Sequence, residues 1–239
     1  MQKDLIQNVE KNLKNNEYPG RGIVIGANTS GNKLIQVYWI MGRSENSRNR
    51  IFIQHQEEIK TQPFDPAKCE DPSLIIYSAI KHFAQYHIVT NGDQTETIWT
   101  ELKKGGSFES ALNQRKFEPD APHYTPRISG LIILAEPKPF YKLNIIKAVN
   151  NNPQQQLNAT WTYGEFTAGL GHCIHTYQSD GQPLPPFTGD PYPVPLMEKI
   201  EEIADFYWKN LNSENKISLV VKTINLKNKE INFKILNKN

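Results

Sequence analysis

An arginine-rich segment follows a long apolar run early in the chain. Residues 38–50 read YWIMGRSENSRNR, which places Arg43, Arg48 and Arg50 among serine and asparagine side chains with one acid, Glu45. Guanidinium groups are planar donors whose geometry suits the oxygens of phosphates and carboxylates. The segment is therefore predicted to bind an anion. Taken alone, such a segment is more often a solvated surface loop, because charged side chains are mostly exposed.

Three side chains that could bind a metal lie close together in LGHCIHTYQ, namely His172, Cys173 and His175. On a strand, Cys173 and His175 would face one way and His172 the other, so the three would not converge on one ion. The second cysteine, Cys69, is far away in the sequence and in no paired spacing. Neither a metal site nor a disulfide framework is indicated.

Composition limits the classes of partner. The chain has 239 residues, 38% of them apolar, which is enough for a sizeable core, and one domain over residues 1–239 is the simplest prediction. The 27 basic and 25 acidic residues leave a net charge of +2, too small for binding nucleic acid through bulk electrostatics, so any nucleotide ligand should be small. The N-terminal segment lacks the apolar core of a signal peptide, and no run approaches membrane-spanning length. A cytoplasmic protein without nucleic-acid or membrane partners is expected.

The arginine-rich segment is predicted to leave the second strand of a β-hairpin. In YPGRGIVIGANTSGNKLIQVYWIM, two segments rich in Val and Ile flank a turn at residues 28–32. The first strand opens at Gly20 and Arg21, so Arg21 is expected at the same end of the sheet as the arginine-rich segment. Apolar residues at helical spacing over residues 3–15 predict an amphipathic helix before the hairpin.

Antiparallel strands and a few helices account for the remaining patterns. Strands are predicted at RNRIFIQ, LIIYSAIKHF, YHIVTNGD, RISGLIILAEP, FYKLNIIKAV, LGHCIHTYQ, KISLVVKTI and INFKIL. Helices are predicted at TIWTELKK, capped by Thr95 or Thr97, at SFESALNQR, beginning with Ser107, and at LMEKIEEIADFYWKNL. PFDPAKCEDP, NNNPQQQ and the proline-rich residues 178–194 are predicted loops, the last packed by Phe187 and Tyr192. This arrangement indicates an α+β fold rather than alternating βαβ units.

An ordered set of motifs resembles the archaeal-type inosine monophosphate (IMP) cyclohydrolases and their bacterial relatives. Over about residues 18–195 the motifs are YPGRGIVIG, SRNR, PSLIIYSAIK, VTNGDQTETI, FEPD, YTPRISG and TYQSDGQPLPPFTGDPYPV. The resemblance implies a four-layer αββα sandwich like that of the N-terminal nucleophile hydrolases, without their nucleophile. It also implies closure of the purine ring of 5-formamidoimidazole-4-carboxamide ribotide with loss of water. In this chain a helical extension, residues 1–17, precedes the GR motif, and residues 196–239 diverge from the family pattern.

Such a ring closure requires a folded substrate, donors for the formyl oxygen and groups that move protons. By position within the motifs, the resemblance implies that Arg50, Tyr77 and Glu118 are catalytic. Arg50 would hold the formyl oxygen, Tyr77 would orient or protonate it, and Glu118 would hold the carboxamide or take a proton. Without the resemblance, Tyr77 would be assigned to the core and Glu118 to a solvated loop.

Substrate binding is expected to involve a second set of residues. Its members are Arg21, Arg43, Asn49, Asn91, Gly92, Thr97, Thr125 and Arg127. Arg21, Arg43 and Arg127 are alternatives for the phosphate and carboxamide, and Arg127 could instead form a structural salt bridge. The turn at Asn91 would offer backbone N–H groups. The resemblance implies a small purine ribotide as ligand and no cofactor, and a homo-oligomer is compatible with it.

Two other functions remain open at the level of sequence. An N-terminal nucleophile amidohydrolase would need a Cys, Ser or Thr at a freed N-terminus, and Met1-Gln2 offers none. A purine nucleotide-binding protein without catalysis would not need the proton-handling pair Tyr77 and Glu118. The retention of both residues together with Arg50 favours the enzyme.

Overall fold

The computed structural model describes residues 2–69 and 76–239, in which thirteen strands and five α-helices are assigned. The helices are α1 (Gln2–Val9, continued by a π-helical turn, Glu10–Lys14), α2 (Glu45–Arg48), α3 (Gln94–Lys103), α4 (Phe108–Asn113) and α5 (Ile200–Asn210). The strands are β1 (Gly22–Ala27), β2 (Lys33–Met41), β3 (Ile51–His55), β4 (Glu58–Gln62), β5 (Ser78–Phe83), β6 (Tyr86–Thr90), β7 (Arg127–Ile133), β8 (Phe140–Val149), β9 (Asn152–Tyr163), β10 (Leu170–His175), β11 (Tyr192–Pro195), β12 (Lys216–Asn225) and β13 (Ile231–Asn237).

The strands form two antiparallel sheets, so the predicted α+β class is confirmed. The first sheet has the order β11-β10-β1-β2-β12-β13, and the second runs β3-β4-β5-β6-β7-β8-β9. In the first sheet the predicted hairpin pairs Gly22 with Trp39, and β10 brings His175 opposite Gly22 on the other side. The start of β1, the end of β2 and the end of β10 therefore meet at one end of the sheet.

Apolar residues on alternate positions of each sheet face the other sheet or the helices. Ile23 and Ile25 of β1 belong to one core cluster with Ile128 and Ile132 of β7, which lies between the sheets. On the outer face of the first sheet, Trp39 of β2 stacks with Tyr207 of α5 at 6.3 Å between ring centroids. A third cluster joins α3 and α4 to the outer face of the second sheet, through Ile98, Phe108, Leu131 and Ile146. Helices thus cover both outer faces.

Two strands of the second sheet were not predicted. The NNNPQQQ stretch, predicted as a loop, is instead a tight turn followed by strand β9. Asn150 and Asn151 adopt φ of 51° and 57°, a conformation that asparagine tolerates better than most residues. β9 lies at the edge of its sheet, where Pro153 costs no ladder hydrogen bond, and pairing with β8 outweighs the low strand propensity of Asn and Gln. The short β4 was likewise missed.

The start of α3 differs from the prediction. The helix begins at Gln94, so neither Thr95 nor Thr97 caps it. Thr95 is buried in the first turn, where its hydroxyl lies 2.6 Å from the Thr90 hydroxyl and donates to the Ser78 carbonyl at 2.6 Å. The Ser107 cap of α4 is confirmed, because the Ser110 N–H donates to its hydroxyl at 3.0 Å.

The remaining predicted elements are present with small changes of boundary. The LIIYSAIKHF strand is described from β5 onward, and its first residues, 74 and 75, lie outside the described residues. Within the proline-rich loop Phe187 is buried, and Tyr192 begins β11. Among the described residues no helix is both long enough and apolar enough to span a membrane.

Candidate active site

A polar cavity of about 260 Å³ lies at the end of the sandwich where β1 begins and β2 ends. Its wall is built by loops that enter or leave the sheets at this end. The lining residues are Tyr18, Gly20, Arg21, Met41, Arg43, Ser44, Ser47, Arg50, Asp120, His123, Thr125, Tyr177 and Leu184. The volume is just below the usual range for small-molecule sites, and arginine is the main source of charge.

Arg21 is held where the chain enters β1. Its backbone N–H donates to the Thr176 hydroxyl at 3.1 Å. Gly20 precedes it at φ +74°, and a Cβ at that glycine would lie 2.2 Å from the same hydroxyl, so only glycine fits. The guanidinium of Arg21 reaches inward and donates to Glu118 Oε2 at 3.3 Å. One end of the cavity is therefore backed by a nearly buried ion pair, in which Glu118, like the predicted catalytic residue Tyr77, is not itself among the lining residues.

Arg50 lies at the start of β3 and is almost completely buried. Its Nε donates to the Ser47 carbonyl at 2.8 Å, and α2, which carries Ser47, is capped by the Ser44 hydroxyl. Burial lowers the pKa of Arg50, and the positive charge of Arg21 lowers it further. Two guanidiniums that repel each other in one cavity form an electropositive site suited to an anion or to a developing oxyanion.

Tyr77 lies just before β5, and its hydroxyl is 2.6 Å from that of Tyr38 on β2. Its backbone N–H donates to the Thr61 hydroxyl at 3.0 Å, which fixes the residue against β4. Burial raises the pKa of Tyr77, while Arg21 and Arg50 act in the opposite direction. A neutral phenol beside two guanidiniums can donate a hydrogen bond or a proton to a ligand oxygen.

Glu118 lies in the loop between α4 and β7 and is almost completely buried. Its backbone N–H donates to the Thr125 carbonyl at 2.9 Å, which closes that loop. Burial raises the pKa of the Glu118 carboxyl, and Arg21 and Arg127 oppose this rise. A buried carboxylate with a raised pKa is suited to taking a proton near neutral pH.

Arg43 lies at the mouth of the cavity. Its guanidinium forms an ion pair with Asp180 at 2.5 Å and lies 5.0 Å from the centre of the Tyr18 ring. It is one-third exposed, with a relative side-chain accessibility of 33%. Arg48, from the same segment, instead turns away and donates to the Gly42 carbonyl at 3.1 Å. The cavity therefore combines buried arginines with one accessible arginine at its entrance.

The sequence model of a protein family described as IMP cyclohydrolase-like protein matches residues 18–229. The chain belongs to this family. A comparison with curated proteins found no significant match. The matched range extends beyond the motifs that end near residue 195 and includes α5 and β12.

In this IMP cyclohydrolase-like chain, several predicted binding residues lie behind the cavity wall. Asn91 and its neighbour Gly92 form the turn before α3, and the Asn91 side chain bonds the Pro126 carbonyl at 2.9 Å. Asn49 exchanges two hydrogen bonds with the backbone of Asp65. These contacts leave Asn49 and Asn91 as residues that shape the loops rather than residues that line the cavity.

Arg127 and Thr97 also lie outside the cavity lining. Arg127 forms an ion pair with Asp93 at 2.7 Å and donates to the Lys116 carbonyl at 2.8 Å, which matches the salt-bridge alternative. Thr97 lies on α3 and accepts a 3.4 Å hydrogen bond from Arg115. Thr125, in contrast, lines the cavity.

Several cavity residues of the IMP cyclohydrolase-like protein were not predicted. The Thr125 hydroxyl bonds both Asp120 and the Tyr177 hydroxyl, which links the loop between α4 and β7 to the loop after β10. Tyr18 stacks on Tyr177 at 5.9 Å between ring centroids. Tyr18, Asp120 and Tyr177 each occur in a motif already singled out, but a single sequence does not indicate which loop residues face inward. His123 lay outside those motifs.

The histidine and cysteine cluster on β10 is occupied by protein contacts. His172 lies 2.5 Å from the Tyr141 hydroxyl, the Cys173 thiol contacts the Tyr192 hydroxyl at 3.3 Å, and the His175 ring bonds the Tyr177 carbonyl. Burial raises the pKa of the Cys173 thiol to about 12. In the part of the chain that the structure describes, no group of three or more His, Cys, Asp or Glu side chains is arranged to hold a metal ion.

Proposed function

We propose that this member of the family is an IMP cyclohydrolase that closes the purine ring of 5-formamidoimidazole-4-carboxamide ribotide. The observation that carries the proposal is the convergence of Arg21, Arg50, Tyr77 and Glu118 from four separate segments at one end of the sandwich. All four are buried or nearly so, which strengthens their electrostatic effect on a bound ligand. Their chemical types match the requirements of an intramolecular cyclisation.

In the proposed reaction the carboxamide nitrogen attacks the formyl carbon of the same molecule. That nitrogen gives a proton to the Glu118 carboxylate, and Arg50 and Tyr77 donate hydrogen bonds to the formyl oxygen as it gains negative charge. The oxygen then leaves as water. One of the protons of this water comes from the carboxamide nitrogen and the other from the formamido nitrogen. No enzyme nucleophile is needed, since positioning of the two substrate groups lowers much of the barrier.

The ribotide phosphate is assigned to Arg43. This residue is the accessible arginine at the cavity entrance, and its partner Asp180 is exposed and can exchange with a phosphate. Arg21 and Arg50 lie deeper, where they serve the reacting atoms. Thr125, Asp120 and Tyr177 also line the cavity and offer hydroxyl and carboxylate groups for the ribose.

The stacking of the two sheets and the helices supports a further proposal about the fold. Two facing sheets with helices on both outer faces agree with the four-layer αββα sandwich of the N-terminal nucleophile hydrolases. The amidohydrolase activity of those enzymes has less support, because Cys173 is buried in the middle of a strand. A purine nucleotide-binding protein without catalysis remains the competing function.

A spectrophotometric assay of purine ring closure with the purified protein separates these functions. We expect formation of IMP from the formamido ribotide, at a rate that a chelator does not change. Binding of IMP without turnover would support the non-catalytic alternative. Activity that disappears with a chelator and returns with zinc would contradict the proposed chemistry, in which Arg50, Tyr77 and Glu118 suffice.

A further inference from the structure

A layer of polar side chains crosses the space between the two sheets at the end remote from the arginine cavity. Its members are Gln36 of β2, His82 of β5, His87 of β6 and Lys222 of β12. Each lies two positions along its strand from a residue of the inter-sheet core, so all four face inward. Polar side chains at inward positions of facing sheets are unfavourable unless they have partners.

Lys222 is fully buried, and its charge is only partly offset, by the more distant Glu57 carboxylate and by the Phe233 ring, whose centre lies 5.8 Å from Nζ. Among the described residues no carboxylate lies within ion-pair distance of it, and its Nζ is 2.9 Å from His87 Nδ1. Burial lowers the pKa of Lys222 to about 7 and that of His87 to about 2. When Lys222 is charged, its ammonium group has only donors, so it donates to Nδ1 of the neutral His87 ring. In this tautomer the imidazole hydrogen is on Nε2.

Three buried atoms of this layer have no hydrogen-bond partner within the described part of the chain. They are Gln36 Oε1, His82 Nδ1 and His87 Nε2. A buried donor or acceptor without a partner is destabilising, and native proteins contain few of them. The His87 Nε2–H group is therefore a donor that requires an acceptor from outside these residues.

A cavity of about 340 Å³ opens over the same two histidines. It lies where β5 turns into β6, whereas the arginine cavity lies where β3 and β7 begin, so the two cavities are at opposite ends of the inter-sheet space. Glu57 and Lys229 lie at its rim, and the Glu57 carboxylate accepts from His82 Nε2 at 3.2 Å. The cavity thus gives access to the unpartnered Nε2 of His87, whose other ring nitrogen contacts the buried Lys222.

We propose that this second cavity is a binding site for a small monocarboxylate, which accepts a hydrogen bond from His87 Nε2 and offsets the charge of Lys222. A dianion fits less well, because Glu57 at the rim would repel it. A divalent metal also fits poorly, because the His82 and His87 rings are stacked at 5.1 Å with an interplanar angle of 13°. With nearly parallel rings, His82 Nδ1 and His87 Nε2 point side by side instead of converging on one ion.

The test is a titration of the whole protein with acetate, followed by nuclear magnetic resonance of the histidine side-chain nitrogens. The signals of His82 and His87 should shift and saturate, while His123, which lines the arginine cavity, reports separately on anion binding there. No shift at His82 and His87 would mean that water alone satisfies this layer. A shift with zinc but not with acetate would assign a metal site. Either result overturns the proposal.

Protonation of Lys222 should control the affinity. The charged or titratable groups facing it are His87, His82, Glu57 and Lys229, and both histidines have lowered pKa values. From about pH 6 to about pH 8 Lys222 is therefore the group that loses charge, and acetate should bind several-fold more weakly at the higher pH. An affinity that is constant over this range would contradict the role of Lys222, and this measurement needs no variant.

Two matched substitutions each remove one positive charge. Lys222→Met keeps the length of the side chain and should weaken acetate binding at least tenfold, whereas Lys209→Met, at an exposed position on α5, should leave it unchanged. Equal effects would show that only the net charge matters and would overturn the site. Ring-closure activity should be normal in both variants, so this test stands or falls independently of the proposed enzymatic function.

Discussion

Tyr77 and Glu118 are the residues proposed to contribute most to stabilising the transition state. Tyr77→Phe removes the hydroxyl and keeps the ring, and Glu118→Gln keeps the size while removing the charge. Each should lower kcat by roughly a hundredfold, the usual scale for a lost general acid or base, with little change in the affinity for IMP. Because burial raises the pKa of Glu118 above the usual 4.5, the wild-type rate should fall as the pH is lowered through that raised value. Glu118→Gln should lack this acid limb.

Tyr38→Phe provides the control for the tyrosine. It removes the hydroxyl that lies 2.6 Å from that of Tyr77 but leaves the Tyr77 hydroxyl beside the arginines, so a smaller fall in kcat is expected. Steady-state kinetics and IMP titrations of the three variants provide the comparison. A normal kcat with a raised KM would assign Tyr77 and Glu118 to substrate binding alone.

Arg43 and Arg48 come from one segment but should differ in function. Arg43→Ala should weaken the binding of nucleoside 5'-monophosphates far more than that of nucleosides, because a charge-assisted contact to the phosphate is lost. Arg48→Ala should affect neither ligand, since its side chain turns to the Gly42 carbonyl and to Asn215. Calorimetric titration with IMP and inosine measures the difference. If Arg43→Ala weakens both ligands equally, another group holds the phosphate.

The arginine residues that line the cavity could be predicted from the sequence. Arg21, Arg43, Arg50 and Thr125 were predicted and all line it. Asp120 and Tyr177 were not, because whether a loop residue faces a cavity depends on contacts with other loops. The Thr125 hydroxyl, which bonds both of them, belongs to a segment more than fifty residues before Tyr177.

At the scale of elements, the conformation of Gly20 at the entry to β1 determines where Arg21 lies in the site. Gly20→Ala should destabilise the protein and lower kcat/KM, because the new Cβ would meet the Thr176 hydroxyl and displace Arg21. Gly105→Ala is the control: this glycine also has positive φ, but a Cβ there has nothing within 4 Å. It should cost only the left-handed backbone conformation, about 1 kcal/mol, with normal kinetics. Thermal unfolding and steady-state assays of both variants test this, and similar effects on activity would disprove the role of Gly20.

The elements themselves were predictable where burial imposes a pattern. The apolar strands β1, β2, β7, β8 and β12 were found from their Val and Ile content. β9 was missed because it is an edge strand, mostly exposed, whose Asn and Gln side chains carry no strand signal. Its pairing is imposed by β8, which is a property of the folded sheet and not of the local sequence.

At the scale of the whole molecule, the two sheets enclose a space with polar chemistry at both ends and an apolar core between them. The arginine cavity and the Lys222 layer are separated by inward-facing residues such as Ile23, Ile80 and Val89. Such close-packed side chains exclude water, so the charged groups at one end do not share solvent or neighbours with those at the other end. One fold thereby holds two electropositive sites without bringing them into contact.

The position of β12 has a consequence for how the protein is made. This strand lies between β2 and β13, and Val220 pairs with Tyr38, about 180 residues earlier in the chain. During synthesis, β2 therefore emerges long before the partner on its second edge exists. An apolar strand with an open edge readily pairs with other chains. The nascent protein should accordingly depend on chaperones until the ribosome releases β12, and messages truncated before that point should yield aggregates instead of partly folded, soluble protein.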